Sequence, residues 1–539
     1  MARYLSPKLY TLIAIRPFII IILFLSFAGC GSNTEVPEVM PRDTSITADV
    51  AYNTLYLDSN RMEGYFKQER IPDSVSDAIR SFYNHRNYQF AWFDSSGLTE
   101  HASNFLEMQH QYIQDARDSS LFNPVLRNLL DSLETNGLRF RVDTAQRVPT
   151  ELLLTSSFFK YAVAAYEGNN DLQLQDLGWY IPRKKINVQQ LLDSLVEPGN
   201  ERYGQYNPLN PQYSLLQQHL AHYNELEKNH SWDTIVLAEK AIRPGQRSII
   251  LPVIKQRLQW LGDLSQADST DVMDSNTVAG VKRFQTRHGL SSDGIIGAGF
   301  IKQINVSPAR RIRQILINME RLRWVPAKTP ADYLLVNIPA FQLFVYKNDT
   351  LDWSMDVVVG SSAHSTVIFR GDMKYIVFSP YWNVPNSIVR NEIEPALLKN
   401  PHYLEKNNME RYSGGIRQKP GANNSLGRVK FLFPNQYNIY LHDTPAKSLF
   451  SRDQRAFSHG CIRLSQPRRL AEYLLHDNKS WPPEKIDKAM TGGKETWVTL
   501  AESIPVYIGY FTAWQGSDSL LHFREDVYGH DKKLERKMF

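Results

Sequence analysis

Over residues 53–240 the apolar positions recur at helical spacing, and the pattern predicts a mainly helical region. Ser74 is placed to cap a helix Val75–Phe82. The run from Glu151 to Tyr166 is apolar on most of its faces, as a buried helix is. Pro211 opens another helix from its first turn. The aromatics Phe82, Tyr83, Tyr88, Phe90, Trp92 and Phe93 read as core. Residues 241–305 form a separate small unit of three helices. Ile254, Leu258 and Leu261 mark the first, and Val278, Val281 and Phe284 the second, which Gly289 ends. Ser307-Pro308 then caps a connecting helix within 306–332. Its stripe is Ile312, Ile315, Leu316, Met319 and Leu322. Arg310, Arg311, Arg313, Arg321 and Arg323 lie mostly off the stripe and read as a solvated basic face, with contact to an anionic polymer as the sharper alternative. From Tyr333 the period changes to that of strands joined by short turns, which predicts a mainly β domain over 333–510 with antiparallel pairing. Residues 381–430 interrupt it with a helical piece, Ile388 to Leu398, and a turn-rich stretch. An insertion of this kind is a candidate cap over a cleft. The fold class is multidomain α+β. Residues 511–539 read as a strand with a frayed end, or as a partner-binding tail.

Composition narrows the class. At 539 residues the chain has room for about three or four domains of roughly 150 residues. Hydrophobic residues at 42% against 22% charged describe a globular chain. A net charge of +5 does not make nucleic acid the default partner. One short apolar run, Phe18 to Phe27, follows Arg3, Lys8 and Arg16 and precedes Ala28-Gly29-Cys30. This describes a secretory signal over 1–29, and the small residues before Cys30 resemble a lipoprotein lipobox, with Phe27 where Leu is more usual. An uncleaved anchor helix is the alternative. Under the lipobox resemblance Cys30 takes the lipid, 30–52 is a polar tether, and the mature chain is held on a membrane and faces the periplasm of a Gram-negative-type cell. Two cysteines then leave Cys461 without an intramolecular partner. A lone thiol outside the cytoplasm is buried and inert or is kept for its reactivity.

The neighbours of Cys461 favour reactivity. His459 is two residues away, on the same face if the chain is a plain strand, and His442 is nineteen positions upstream, within reach from an adjacent strand. A nearby imidazole can take the thiol proton and leave a thiolate–imidazolium pair. Gly460 permits close backbone approach, and the amides beside Cys461 can form an oxyanion hole. A zinc site built from His442, Asp443, His459 and Cys461 is an alternative with a weak signature, and an inert Cys461 a weaker one.

His442, fifteen residues, then Ser458-His459-Gly460-Cys461 resembles the signature of L,D-transpeptidases with a YkuD-type catalytic domain. Asn337-Ile-Pro-Ala-Phe341, Trp382-Asn-Val-Pro385, Gly421-Ala-Asn-Asn-Ser-Leu-Gly427 and Leu441-His-Asp-Thr-Pro-Ala-Lys447 are similar to segments of the large periplasmic members, while Thr366-Val367 departs from their Thr-Pro. Arg257-Leu258, Phe284-Gln285, His288-Gly-Leu and Asp293-Gly294 resemble the peptidoglycan-binding domain type 1, against a generic three-helix unit. The resemblance implies a helical scaffold domain (53–240), a peptidoglycan-binding domain (241–305) and a catalytic domain (333–510). It implies Cys461 as nucleophile and His442 as base, its ring oriented by the carbonyl of Asp443. His459 and Gly460 shape the site. Ser458, Arg463, Asp443, Tyr440, Trp382 and Asn383 stand on the substrate side. The implied reaction takes tetrapeptide stems of peptidoglycan as donor and acceptor and makes a 3→3 cross-link through a Cys461 thioester. It needs no cofactor and no metal, and carbapenems would acylate Cys461. The wider partners are other wall-synthesis proteins. L,D-carboxypeptidase action, D-amino-acid exchange, attachment of a protein Lys and a non-catalytic wall-binding lipoprotein are the alternatives.

Overall fold

The computed structural model describes residues 39–46, 53–136, 142–196 and 208–539. The signal segment 1–29 and Cys30 lie outside the described residues. Of the expected tether, residues 39–46 lie against the helical region: the Met40 amide donates to Ser81 Oγ at 3.1 Å and Arg42 Nε to Asn87 Oδ1 at 2.6 Å. That stretch is docked and is not a free spacer.

The helical region is built around Thr144–Tyr166, with Ser59–Gln68, Asp73–His85, Glu100–Ala116 and Val188–Val196 packed on it. The second of these starts at Asp73, not Val75. Pro72 takes the cap position without a side-chain bond, so Ser74 falls inside the first turn. The ring fixes the entry angle and leaves the Asp73 carboxylate beside the free amides of the helix start. At the centre Glu151 is fully buried. It accepts from Tyr83 Oη at 2.8 Å and from the amides of Ala91 and Trp92 at 2.6 and 3.1 Å. Burial pushes its carboxyl up to about 7.

The helical region is not a closed unit. Leu172, Leu177, Trp179 and Ile181 enter the core of the β domain, and the Tyr180 amide donates to the Ile368 carbonyl at 2.9 Å. Helix Pro211–Asn229, capped by Asn210 with Pro211 at N1, packs on the connecting helix Pro308–Trp324. The small unit has its three helices, Leu251–Trp260, Ser275–Arg287 and Ala298–Ile304, around Leu258, Phe284 and Phe300.

The arginines of the connecting helix do not form a solvated face. Arg311, Arg321 and Arg323 are buried. Arg321 pairs with Asp531 at 2.5 Å and Arg323 with Glu320 at 2.6 Å, while the exposed Arg310 and Arg313 both reach Glu535. The tail supplies the acid for Arg321, Glu320 of the same helix that for Arg323, and Gln303 and Gln314 bond Arg311, because a buried guanidinium needs partners. Residues 511–539 are accordingly ordered: a hairpin, Ala513–Gln515 with Leu521–Phe523, then a helix His530–Met538.

In chain order the β domain contributes β1 (Tyr333–Asn337), β2 (Gln342–Lys347), β3 (Thr350–Gly360), β4 (Arg370–Phe378), β5 (Trp382–Asn383), β6 (Met409–Tyr412), β7 (Gly415–Gln418), β8 (Val429–Leu432), β9 (Leu441–His442), β10 (Ala456–Ser458), β11 (Ile462–Leu464) and β12 (Thr496–Gly509). The main sheet runs β10-β3-β11-β9-β8-β4-β12-β1-β2, and β2 also pairs with β3, so it closes into a barrel with β10 on its rim. Its pairing is mixed, against the antiparallel expectation: β1 with β12, β9 with β11 and β10 with β3 are parallel. A parallel pair needs a long crossover, and residues 443–461 supply it between β9 and β11. The insertion forms its own three-stranded sheet, β5-β7-β6, and a helical stretch from Asn386 to Lys399 with a π-helical turn at Val389–Ile393, around Val384, Ile393 and Ile416. Val429 and Lys430, counted with the insertion from sequence, belong to β8 of the barrel.

Candidate active site

The register of two short strands assembles the site. Leu441 pairs with Ile462 and His442 with Arg463, and the Ile462 amide donates to the Tyr440 carbonyl at 3.1 Å. Leu441 and Ile462 are fully buried in the barrel core. Side chains alternate along a strand, so Tyr440, His442 and Arg463 share the opposite face, and Cys461 leads into it beside Tyr440. Neighbouring strands are about 4.8 Å apart, and Cys461, just before β11, stands two residues from Arg463, the partner of His442 on the adjacent strand.

Cys461 is partly exposed. Its Sγ donates to the Asn438 carbonyl at 3.6 Å. Burial raises the thiol above its ordinary range, while the amide and the phenol of Tyr440, and then the charge of Arg463, oppose that rise. His442 Nδ1 lies 2.5 Å from the Asp443 carbonyl. A carbonyl only accepts, so Nδ1 carries the hydrogen and the neutral ring keeps its lone pair on Nε2. Burial, then the charge of Arg463, holds this imidazole down to about 4, against the pull of the Asp443 and Leu426 carbonyls. The resting pair is therefore a neutral thiol and a neutral imidazole. Proton transfer from Cys461 to the imidazole, the step the sequence allows, would then accompany attack instead of preceding it.

The turn before Cys461 is held from inside. Ser458 Oγ donates to the Cys461 carbonyl at 2.5 Å and accepts from the Gly460 amide at 3.1 Å. Ser458 is buried and its hydroxyl is used up in that turn, so it is not a substrate contact. Gly460 has φ 111°, where L side chains are strained. The Cys461 amide has no acceptor among the described residues, so it is free to donate.

Three further expectations change. His459 and Cys461 are not on one plain strand, because β10 ends at Ser458, β11 starts at Ile462 and the chain turns at Gly460 between them. The Nε2 of His459 stands 3.5 Å from Glu392 Oε1 of the insertion, and its ring 4.9 Å from that of His364. Asp443 is buried and its carboxylate is committed to Lys447 Nζ (2.7 Å) and to the amides of Thr444 and Arg428, so it shapes the loop after His442 and leaves nothing for substrate. Trp382 and Asn383 lie on β5 of the insertion. Trp382 packs on the insertion's own core and Asn383 is exposed. With His459 and Asp443 so occupied, the four residues of the zinc alternative do not converge. Arg463 pairs in register with His442, and its Nε is buried without a hydrogen-bond partner. Sequence reasoning missed Asn438 and Glu392, and noted Thr366 only as part of a departure from the family pattern, without a role at the site. Only the fold brings them to the site, and no local pattern marks them.

Residues 331–500 match the family model described as the L,D-transpeptidase catalytic domain (YkuD), residues 77–220 that of the "Scaffold domain", and residues 252–304 that of the "Putative peptidoglycan binding domain". On these matches the chain carries an L,D-transpeptidase catalytic domain of the YkuD type behind scaffold and peptidoglycan-binding domains. A Haemophilus influenzae protein named "Putative L,D-transpeptidase" is 27% identical over 246 residues, 41% of this chain and 49% of that protein. The chain thus spans about half the length of the curated relative it matches. Among solved structures, an L,D-transpeptidase from Stackebrandtia nassauensis is 14% identical, with 51% of this chain and 98% of that one covered, at a TM-score of 0.21. One from Mycobacterium smegmatis is 15% identical, with 33% and 58% covered, at 0.19. At these scores the overlays have no bearing on the site.

Proposed function

We propose that this chain is a peptidoglycan L,D-transpeptidase that forms 3→3 cross-links through a thioester on Cys461. The observation that carries the reading is the β9–β11 register, which sets His442, with Nδ1 tied to the Asp443 carbonyl, beside Cys461 and its free amide. In the first step Nε2 of His442 takes the thiol proton as Sγ attacks the carbonyl of the third stem residue, an L-centre. The Cys461 amide donates to the oxygen that gains charge. The tetrahedral species then expels the amine of the terminal D-Ala, which leaves with the proton from His442. In the second step the amine of another stem attacks the thioester. His442 takes its proton and returns it to the departing sulfur. Arg463 is suited to a stem carboxylate, since it brings a positive charge and an unpartnered N–H to the same face.

The acceptor decides the product. Water gives a carboxypeptidase, a D-amino acid gives exchange, and a protein Lys gives anchoring. The insertion, in contact with the nucleophile turn through Glu392 and His459, favours transfer because a covered thioester meets less water. We also propose that the chain is exported and anchored through a lipid on Cys30, with its site in the periplasm. The test is intact-protein mass spectrometry with a carbapenem and then with tetrapeptide stems. One adduct on Cys461 and dimeric stems with a 3→3 bond are expected, and Cys461→Ser should give neither. An adduct with tripeptide alone means hydrolysis. A folded chain that takes no adduct would sink the enzyme reading and leave a wall-binding protein.

A further inference from the structure

The oxyanion donor is held in place from the far end of the chain. Gly460 C=O and Cys461 N–H belong to one planar trans peptide, so fixing the oxygen fixes the opposite direction of the amide. The Gly460 oxygen accepts from Thr366 Oγ1 at 2.8 Å, and that hydroxyl oxygen accepts from the Gly360 amide at 2.9 Å. Tyr528, in the C-terminal segment, closes the circuit. Its phenol donates to the Gly360 carbonyl at 2.6 Å and accepts from the Thr366 amide at 3.3 Å. One hydroxyl thus clamps both ends of the loop after β3 where that loop meets the nucleophile turn. The approach is close: a Cβ on Gly360 would lie 2.1 Å from the His364 oxygen and 3.1 Å from the Gly460 Cα.

Tyr528 is itself fixed. Its amide donates to Tyr510 Oη at 2.9 Å, and that phenol donates to Asp526 at 2.6 Å. Ser362 Oγ reaches the neighbouring Val527 carbonyl at 3.3 Å. Behind it, Asp531 accepts from Thr512 and pairs with Arg321 of the connecting helix, both at 2.5 Å. The tail is therefore a strap from the connecting helix to the wall of the site.

We propose that Tyr528 is a positioning residue for the oxyanion hole: its hydroxyl sets Gly360 and Thr366 so that Thr366 holds the Gly460 carbonyl and aims the Cys461 amide. This rests on the acyl-enzyme reading above.

The test compares wild type, Tyr528→Phe and Thr366→Val in the full chain by three readouts. These are acylation by a carbapenem and by tetrapeptide stems, alkylation of Cys461 by iodoacetamide, and the melting temperature. Alkylation uses the thiol but needs no oxyanion donor. Tyr528→Phe should lower kcat for stem acylation by about 10- to 100-fold with KM changed less than about twofold, and should slow the carbapenem equally. Alkylation and melting should stay as in wild type. Thr366→Val should show the same split, and the double variant should be no slower than Thr366→Val alone. Wild-type acylation in Tyr528→Phe would overturn the proposal, as would an equal loss of acylation and alkylation, which would place the effect on the thiol or the fold. A wild-type chain that is never acylated would overturn the proposed function as well, so the two failures are told apart by the wild-type lane.

Discussion

At the residue scale, the acid–base state of Cys461 and His442 follows from burial and one neighbouring charge. Arg463 helps to keep His442 neutral and lowers the thiol, yet burial wins at the thiol. In the free chain, alkylation of Cys461 should climb about tenfold per pH unit and show no plateau at or below the ordinary thiol value of about 8.5. A plateau near neutrality would mean a preformed thiolate. The acid limb also rises with pH, but it lies far lower because the two shifts run in opposite directions. His442 must be neutral to take a proton, and its ring titrates at about 4, so carbapenem acylation should lose little between pH 6.5 and 5 and fall as pH approaches 4. A limb near 6.5 in the stopped-flow profile would mean a solvated imidazole. The same depressed value makes stability fall with pH from about 6.5 toward 4, since the unfolded chain binds the proton that the folded site refuses. His442→Ala should abolish acylation. If it leaves full activity, the base is elsewhere.

At the element scale, the insertion meets the catalytic turn through the Glu392–His459 contact, and Glu392 sits in a π-helical turn, a feature often found at functional places. Both side chains are about half exposed, so the pair contributes little to stability. Its role in this reading is to hold the cap over the thioester. Glu392→Gln should leave melting unchanged and raise the share of tripeptide over dimer by severalfold in a product assay by liquid chromatography. An unchanged ratio would free the cap of that role. Elsewhere, the scaffold helices are locked by Glu151. Glu151→Leu strands the amides of Ala91 and Trp92, while the Tyr83 hydroxyl keeps Thr155, and should cost about 3 kcal/mol in a denaturant titration.

At the scale of the whole molecule, the units predicted along the chain are laced together. Residues 172–181 of the helical region sit in the barrel core, and the tail covers the connecting helix. The buried Arg321–Asp531 pair joins the tail to that helix. Arg321→Ala leaves a buried carboxylate without its cation, and should destabilise by about 3 to 5 kcal/mol. Differential scanning calorimetry would check this. A loss below about 1 kcal/mol would mean that the tail is held by its apolar contacts alone.

The sequence by itself determined the parts that local physics controls. The period of apolar residues gave the three small-unit helices and the connecting helix, because 3.6-residue spacing and N-caps act within a few residues. The residues around Cys461 marked it as a candidate nucleophile with two histidines in reach, and only the resemblance to the YkuD signature singled out His442 as its base. Tertiary structure decided the rest. Arg321 became half of an internal ion pair only because the tail brings Asp531 to it. Ser458 and Asp443 turned from substrate candidates into internal braces because their oxygens find backbone donors at short range. The place of His459, near Glu392 and His364, follows from the turn at Gly460 and from the insertion that meets it. Tyr528 met Gly360 only because the barrel closes and the tail returns along it. Contacts between residues far apart in sequence carry no local signal, because the fold alone sets which of them meet.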